Sequence, residues 1–247
     1  MTQPVALITG CSSGIGQALA NVCLDEGYQV WATARDPQTL EGLVARGAMA
    51  MKLDVNDSQQ VFACAERLRA EAGRLDLLVN NAGGQFFAPA TGISRKGWDA
   101  VIDVNLSAIF VVTKAAYPFL KARKGSVVNI SLSGVDRGSM GIAHSIAARA
   151  GVLGLMRTLA LEWARDDIAL NCIGPGAVLT EGLAGEAAKA MLDRLVDATP
   201  MGRATSVEEV AELVAFLATP AAHLMTGQLI QIDGAAHLGS GLHMLAA

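Results

Sequence analysis

Short, unbroken apolar runs alternate along the whole chain with longer stretches of helical periodicity. That alternation constrains the fold more than any other feature. The apolar runs fall at residues 5–9, 29–33, 48–53, 75–80, 126–130, 169–173 and 229–232. Runs this short and this uniformly apolar suit strands covered on both faces. Helical patterns fill 15–25, 58–72, 96–120, 145–164, 186–197 and 207–218. Strands separated by helices are joined by right-handed crossovers, which build a parallel sheet with helices on both sides. The expected fold is α/β: a single doubly wound domain over 1–247, its seven-stranded parallel sheet flanked by helices. Local signals support the boundaries. Ser206 and Glu209 form a capping-box pattern, Asp57 or Ser58 can cap the 58–72 helix, and Gly27 follows the first helix.

Composition excludes several classes. Apolar residues make up 52% of the chain and charged residues 17%, the opposite of a disordered segment, and the apolar excess points to buried subunit interfaces. The net charge is −4 with Lys and Arg scattered, so no basic stripe offers itself to nucleic acid. No apolar stretch approaches the roughly 18 residues of a membrane span. The N-terminal residues lack the regions of a secretory signal. Cys11, Cys23, Cys64 and Cys172 show neither metal-ligand nor disulfide spacing, so no metal site is expected, and reduced thiols in a cytoplasmic protein are.

Thr9-Gly10-Cys11-Ser12-Ser13-Gly14-Ile15-Gly16 closes the first strand and opens the first helix. Glycines there let the backbone turn tightly and approach a pyrophosphate, which the helix N-terminus faces. Its place in the first strand–helix unit marks it as a dinucleotide turn. Downstream stand Asn80-Asn81-Ala82-Gly83, Asn105, Pro175-Gly176 with Thr180, and the stretch from Gly227-Gln228 to Asp233-Gly234. In this order the motifs resemble the short-chain dehydrogenase/reductase family over nearly the whole chain. The resemblance implies a Rossmann-type domain, a nicotinamide dinucleotide, a small-molecule substrate and a homotetramer. It further implies that Gly10, Ser12, Ser13, Gly14, Ile15 and Gly16 hold the cofactor's phosphates. By the same resemblance Asp54 and Val55 flank the adenine, and Asn81, Ala82 and Gly83 lie over its ribose. Pro175, Gly176, Val178 and Thr180 would complete the cofactor site, with Val178 matching the residue whose backbone meets the carboxamide. Residues 179–205 match the family's substrate lid.

The second strand ends Ala32-Thr33-Ala34-Arg35-Asp36. NAD-preferring relatives carry a carboxylate where Ala34 stands. Arg35 can pair with a 2′-phosphate and stack on adenine, and Ser12 can add a hydroxyl. Asp36, followed by Pro37, reads better as a cap. NADP(H) is therefore expected over NAD(H).

Carbonyl-reducing relatives use a Ser and a Tyr-x-x-x-Lys, with the tyrosine as general acid. Here the segment reads His144-Ser145-Ile146-Ala147-Ala148-Arg149-Ala150-Gly151. Ser145 takes the tyrosine position, Arg149 the lysine position and Leu132 the serine position, while Asn105 survives. The only tyrosines, Tyr28 and Tyr117, fit no shift of register. Arg149 can still hold ribose hydroxyls, yet Ser145 is too weakly acidic to replace a phenol. This stretch, with Gly84-Gln85-Phe86 and Gly97-Trp98, resembles the branch of peroxisomal trans-2-enoyl-CoA reductases, which lacks the tyrosine. The expected reaction is NADP(H)-dependent reduction of an activated C=C such as a 2-enoyl thioester, with Asn105, Ser145 and Arg149 as catalytic residues. Charge then gathers on the thioester oxygen, which needs donors more than an acid. Two alternatives stand beside it. One is an alcohol or ketone oxidoreductase drawing its proton donor from Ser131, Ser133 or His144. The other is a dinucleotide-binding protein without catalysis. Gln85, Phe86 and Phe87 either touch substrate or pack the loop. The helices at 96–120 and 145–164 match those that pair across subunits, and the tail 235–247, bearing His237 and His243, is expected to dock on a neighbouring subunit.

Overall fold

The computed structural model describes residues 3–179 and 186–238. Seven strands form one parallel sheet in the order β3-β2-β1-β4-β5-β6-β7. They are β1 (Val5–Ile8), β2 (Gln29–Ala34), β3 (Met49–Lys52), β4 (Leu77–Asn80), β5 (Ser126–Ile130), β6 (Ala169–Pro175) and β7 (Leu229–Ile232). The helices are α1 (Gly14–Asp25), α2 (Glu41–Ala45), α3 (Ser58–Glu71), α4 (Arg95–Ile102), α5 (Ala108–Lys121), α6 (Ala143–Glu162), α7 (Glu186–Asp197) and α8 (Val207–Leu217). This is a Rossmann-like α/β domain. The strand order reverses between β1 and β4, and such a switch point opens a crevice at the carboxyl ends of the strands.

Side-chain alternation along the strands feeds two cores. Trp31 points with Leu7 and Leu78 toward α3, α5 and α6, where Leu68, Val112, Phe119 and Met156 pack. Val30 and Ala32, one residue on either side, point with Ile8 toward α1 and α8, where Leu19, Val210 and Val214 pack. Neither face of the sheet is left to water, which explains the near-continuous apolar strands.

Two readings need refinement. The 96–120 helix runs unbroken along the chain but carries a π turn at Asp103–Ser107 that divides it into α4 and α5. Such bulges recur at functional sites, and this one carries Asn105. The continuous helical run Arg95–Lys121 is also long and apolar enough, by length and composition, to cross a membrane, although no single apolar stretch in the sequence is. Its Val112, Ala116, Phe119 and Leu120 are buried against the sheet, as in a core helix. The capping box of α8 forms as read, Asp57 caps α3, and Gly27 takes the left-handed conformation just past α1. Thr180 with residues 181–185 of the 179–205 segment, and His243 with residues 239–247 of the tail, lie outside the described residues.

Candidate active site

The crevice beside the switch point is a cleft of about 570 Å³. Gly10, Ser12, Ser13, Gly14, Ile15 and Gly16 line one wall, Arg35, Asp54 and Val55 the rim, and Asn81, Ala82 and Gly83 the floor. Gly10 has φ +74°, and a Cβ on it would meet Ala82 Cα at 2.9 Å. A Cβ on Gly16 would stand 2.0 Å from Gly10 O and 2.5 Å from Asn81 Nδ2. Glycine is required at both positions for the turn to nest against the β4 loop. That loop is stitched to the turn by Thr9 and Asn81. Thr9 Oγ1 accepts from the N–H groups of Asn81 and Ala82, both at 3.0 Å, and Asn81 Nδ2 donates to Thr9 O and Gly10 O, both at 2.9 Å.

The first turn of α1 has no acidic residue, and Ser13 makes no side-chain cap bond. The free N–H groups and the positive end of the helix therefore face the cleft, which suits a pyrophosphate. Arg35 is exposed at the rim and makes no ion pair among the described residues. Asp36 turns away, its Oδ1 accepting from Gln38 N at 3.0 Å, so it caps the following turn as the sequence suggests. These groups fit a dinucleotide. The cleft also takes in Gly84, and Asn56, Ala100 and Val104, which the sequence reading did not name.

Past Gly83 the floor leads to a polar cluster. Asn105 is buried; its Nδ2 donates to Gly84 O at 2.7 Å and Val101 O at 2.8 Å, while its Oδ1 accepts from Gly84 N at 3.2 Å. Ser145 and Arg149 stand one turn apart on α6. The Ser145 hydroxyl donates to Gln85 Oε1 at 2.5 Å and accepts from Arg149 Nη1, which also reaches Gln85 Oε1 at 3.4 Å. Burial pulls the Arg149 guanidinium down to about 10, so it remains a cation at neutral pH. Asn105, Ser145, Arg149 and Gly83 are thus brought together: a Cβ on Gly83 would lie 2.7 Å from Asn105 Oδ1 and 3.7 Å from Arg149 Nη2.

Most of the other candidates are committed elsewhere. The Ser133 hydroxyl donates to Asp233 Oδ2. His144 is buried, and its Nδ1 accepts from Ser145 N at 2.9 Å, which satisfies an N–H of the first turn of α6. Its ring meets Phe86 edge-on with centroids 4.3 Å apart. Ser131 Oγ is buried without a partner. Leu132 packs against the core and offers no donor. Tyr117 bonds Asp166 at 2.5 Å, and Tyr28 leads into β2 at the opposite edge of the sheet. Pro175 ends β6, Gly176 N donates to Ile232 O at 3.1 Å, and Val178 bridges to Thr205; none of the three lines the main cleft.

The chain is similar to known proteins over nearly its whole length. A family described as enoyl-(acyl carrier protein) reductase matches residues 10–237. The 3-oxoacyl-[acyl-carrier-protein] reductase FabG of Thermotoga maritima is 38% identical over 93% of this chain and 96% of its own length. A probable 2,4-dienoyl-CoA reductase [(2E)-enoyl-CoA-producing] of Bacillus subtilis is 36% identical over 95% of this chain and 96% of its own. A crystal structure of a short chain dehydrogenase from Bacillus anthracis superposes with a TM-score of 0.85 at 33% identity, covering 96% of this chain and 98% of that one.

Proposed function

From the chain's membership of the short-chain dehydrogenase/reductase family, which makes it an oxidoreductase, we propose that it is an NADP(H)-dependent reductase of an activated C=C, such as that of a 2-enoyl thioester. The observation that carries this reading is the Gln85–Ser145–Arg149 cluster, which offers hydrogen-bond donors where a carbonyl reductase needs an acid. The reduced cofactor, when bound, supplies a hydride to the β-carbon of the substrate. Negative charge then collects on the thioester oxygen, where fixed donors stabilise it. The proton for the α-carbon comes from water, so no strong protein acid is required. Arg149, cationic at neutral pH, makes the potential around that oxygen more positive and is placed to meet ribose hydroxyls. Asn105 fixes the Gly84 backbone at the floor of the site. Gly10, Ser12–Gly16, Asp54, Val55, Asn81–Gly83, Pro175, Gly176, Val178 and Thr180 hold the cofactor in this reading, with Arg35 on its 2′-phosphate. The enzyme acts as a homotetramer in the cytoplasm, and the four free thiols agree with that compartment.

Reduction of a 3-oxoacyl thioester is the second reading, favoured by the Thermotoga maritima relative. It requires a rearranged acid: the Ser133 hydroxyl and His144 Nδ1 are occupied by other bonds, which leaves this reading the buried, unpartnered Ser131 hydroxyl and His144 Nε2. Following NADPH oxidation with trans-2-hexenoyl-CoA and with 3-oxohexanoyl-CoA decides between them. We expect the enoyl substrate to be preferred by about 100-fold or more in kcat/KM, the scale of one missing general acid. Preference for the ketone would overturn the first reading. Cofactor binding with neither substrate turned over would point to the non-catalytic alternative.

A further inference from the structure

Ser145 holds the position of the family's acid, yet it is wholly buried, at 0% exposure. The group that reaches the surface of the cluster is the side chain of Gln85, which is exposed. Its amide has a defined orientation. Oε1 accepts from the Ser145 hydroxyl and from Arg149 Nη1, so a flipped amide would set N–H against the guanidinium. Nε2 therefore points away from the cluster and has no protein partner among the described residues.

The backbone on either side is held as firmly. Gly84 makes two hydrogen bonds with Asn105, one through its N–H and one through its carbonyl. Phe86 is wedged between His144 and Gly97, where a Cβ on Gly97 would meet Phe86 Cζ at 2.9 Å. Ala88 N donates to Gly141 O at 2.9 Å. Donors fixed in advance on an anchored loop are the arrangement that stabilises a developing oxyanion without reorganisation.

We propose that Gln85 is a catalytic residue, its Nε2 amide donating a hydrogen bond to the thioester oxygen while Ser145, a positioning residue, and Arg149 hold the amide from behind. No proton is transferred by Gln85; it stabilises the charge left on oxygen when the β-carbon gains its hydride. The proposal rests on the reading of the reaction given above.

The test uses Gln85→Leu and the near-isosteric Gln85→Glu, which keeps a partner for Ser145 and Arg149 but loses the donor. With trans-2-hexenoyl-CoA, kcat should fall about 100-fold in both, the usual loss for one oxyanion donor, with NADPH affinity and Tm unchanged. Calorimetry with saturated hexanoyl-CoA should show affinity reduced about tenfold, the scale of one hydrogen bond. Ser145→Ala should cost kcat in the wild-type background and little more in Gln85→Leu, because it acts through the amide. Unchanged kcat in both Gln85 variants, or additive losses with Ser145→Ala, would overturn the assignment alone. A wild-type protein that neither reduces hexenoyl-CoA nor binds hexanoyl-CoA would overturn the reaction and this assignment together.

Discussion

Arg35 and Asp36 show how much one residue's environment decides. Both follow β2, and either could serve a dinucleotide ribose by charge alone. Asp36 is spent on the N–H of Gln38, and Arg35 stands at the rim without an ion pair among the described residues. Arg35→Ala should therefore weaken NADPH binding about tenfold or more while leaving NADH nearly unchanged, as charge-assisted phosphate contacts are worth roughly 1.5–3 kcal/mol. Fluorescence titration with both nucleotides reads this directly, and equal losses for both would contradict it. At this scale residue types were legible in the sequence and side-chain directions were not. The glycines, Asn81 and Asn105 sit where motif spacing puts them, because a tight turn admits few alternatives. Gln85 is joined to Ser145 and Arg149 across some 60 positions of chain, and no periodicity reports such a contact.

Among the elements, those with strong local signals formed where the sequence placed them. β5 and β7 match the apolar runs to the residue, and α8 begins at its capping box. That box joins Ser206 Oγ to Glu209 N at 3.0 Å and Glu209 to Ser206 N at 2.8 Å. Ser206→Ala should cost about 1 kcal/mol, the ordinary worth of an N-cap. The urea midpoint should drop with the m-value unchanged, and NADPH affinity should stay the same. A loss of affinity would mean that α8 supports the cleft more directly than its packing against α1 implies. Elements without a repeating pattern escaped the sequence. The short turn and α2 between β2 and β3 are too brief for helical periodicity to register. The π turn inserts its extra residue into an unbroken helical pattern, so α4 and α5 read as one. Within the turn the Asn105 side chain donates to Val101 O at 2.8 Å, one of the contacts that hold it in place.

For the molecule as a whole, the buried thiols set an alkaline limit. Burial pushes Cys11, Cys23 and Cys172 up to about 12 and Cys64 to about 11, from an ordinary value of 9.0. The folded state thus keeps protons that the unfolded chain releases. The associated stability is present in full below about pH 9 and is lost progressively as pH rises toward 12. Thermal unfolding should show Tm falling steeply above pH 9. At pH 8 a thiol reagent should label all four cysteines only in denaturant; prompt labelling of the native protein would contradict the burial. The same long-range view applies to Asp233, which accepts from Ser133, Ala235 and His237, and to Arg137, which donates to Ala236 O. The loop after β5 is braced by residues about a hundred positions later. The main cleft, in contrast, is lined entirely by residues 10 to 104. Synthesis from the N-terminus therefore makes that lining first, then Ser145, Arg149 and the 175–180 segment proposed to complete the cofactor site, and last the residues at 233–237 that brace the loop after β5. The two ends of one site are thus delivered to the folding chain at different times.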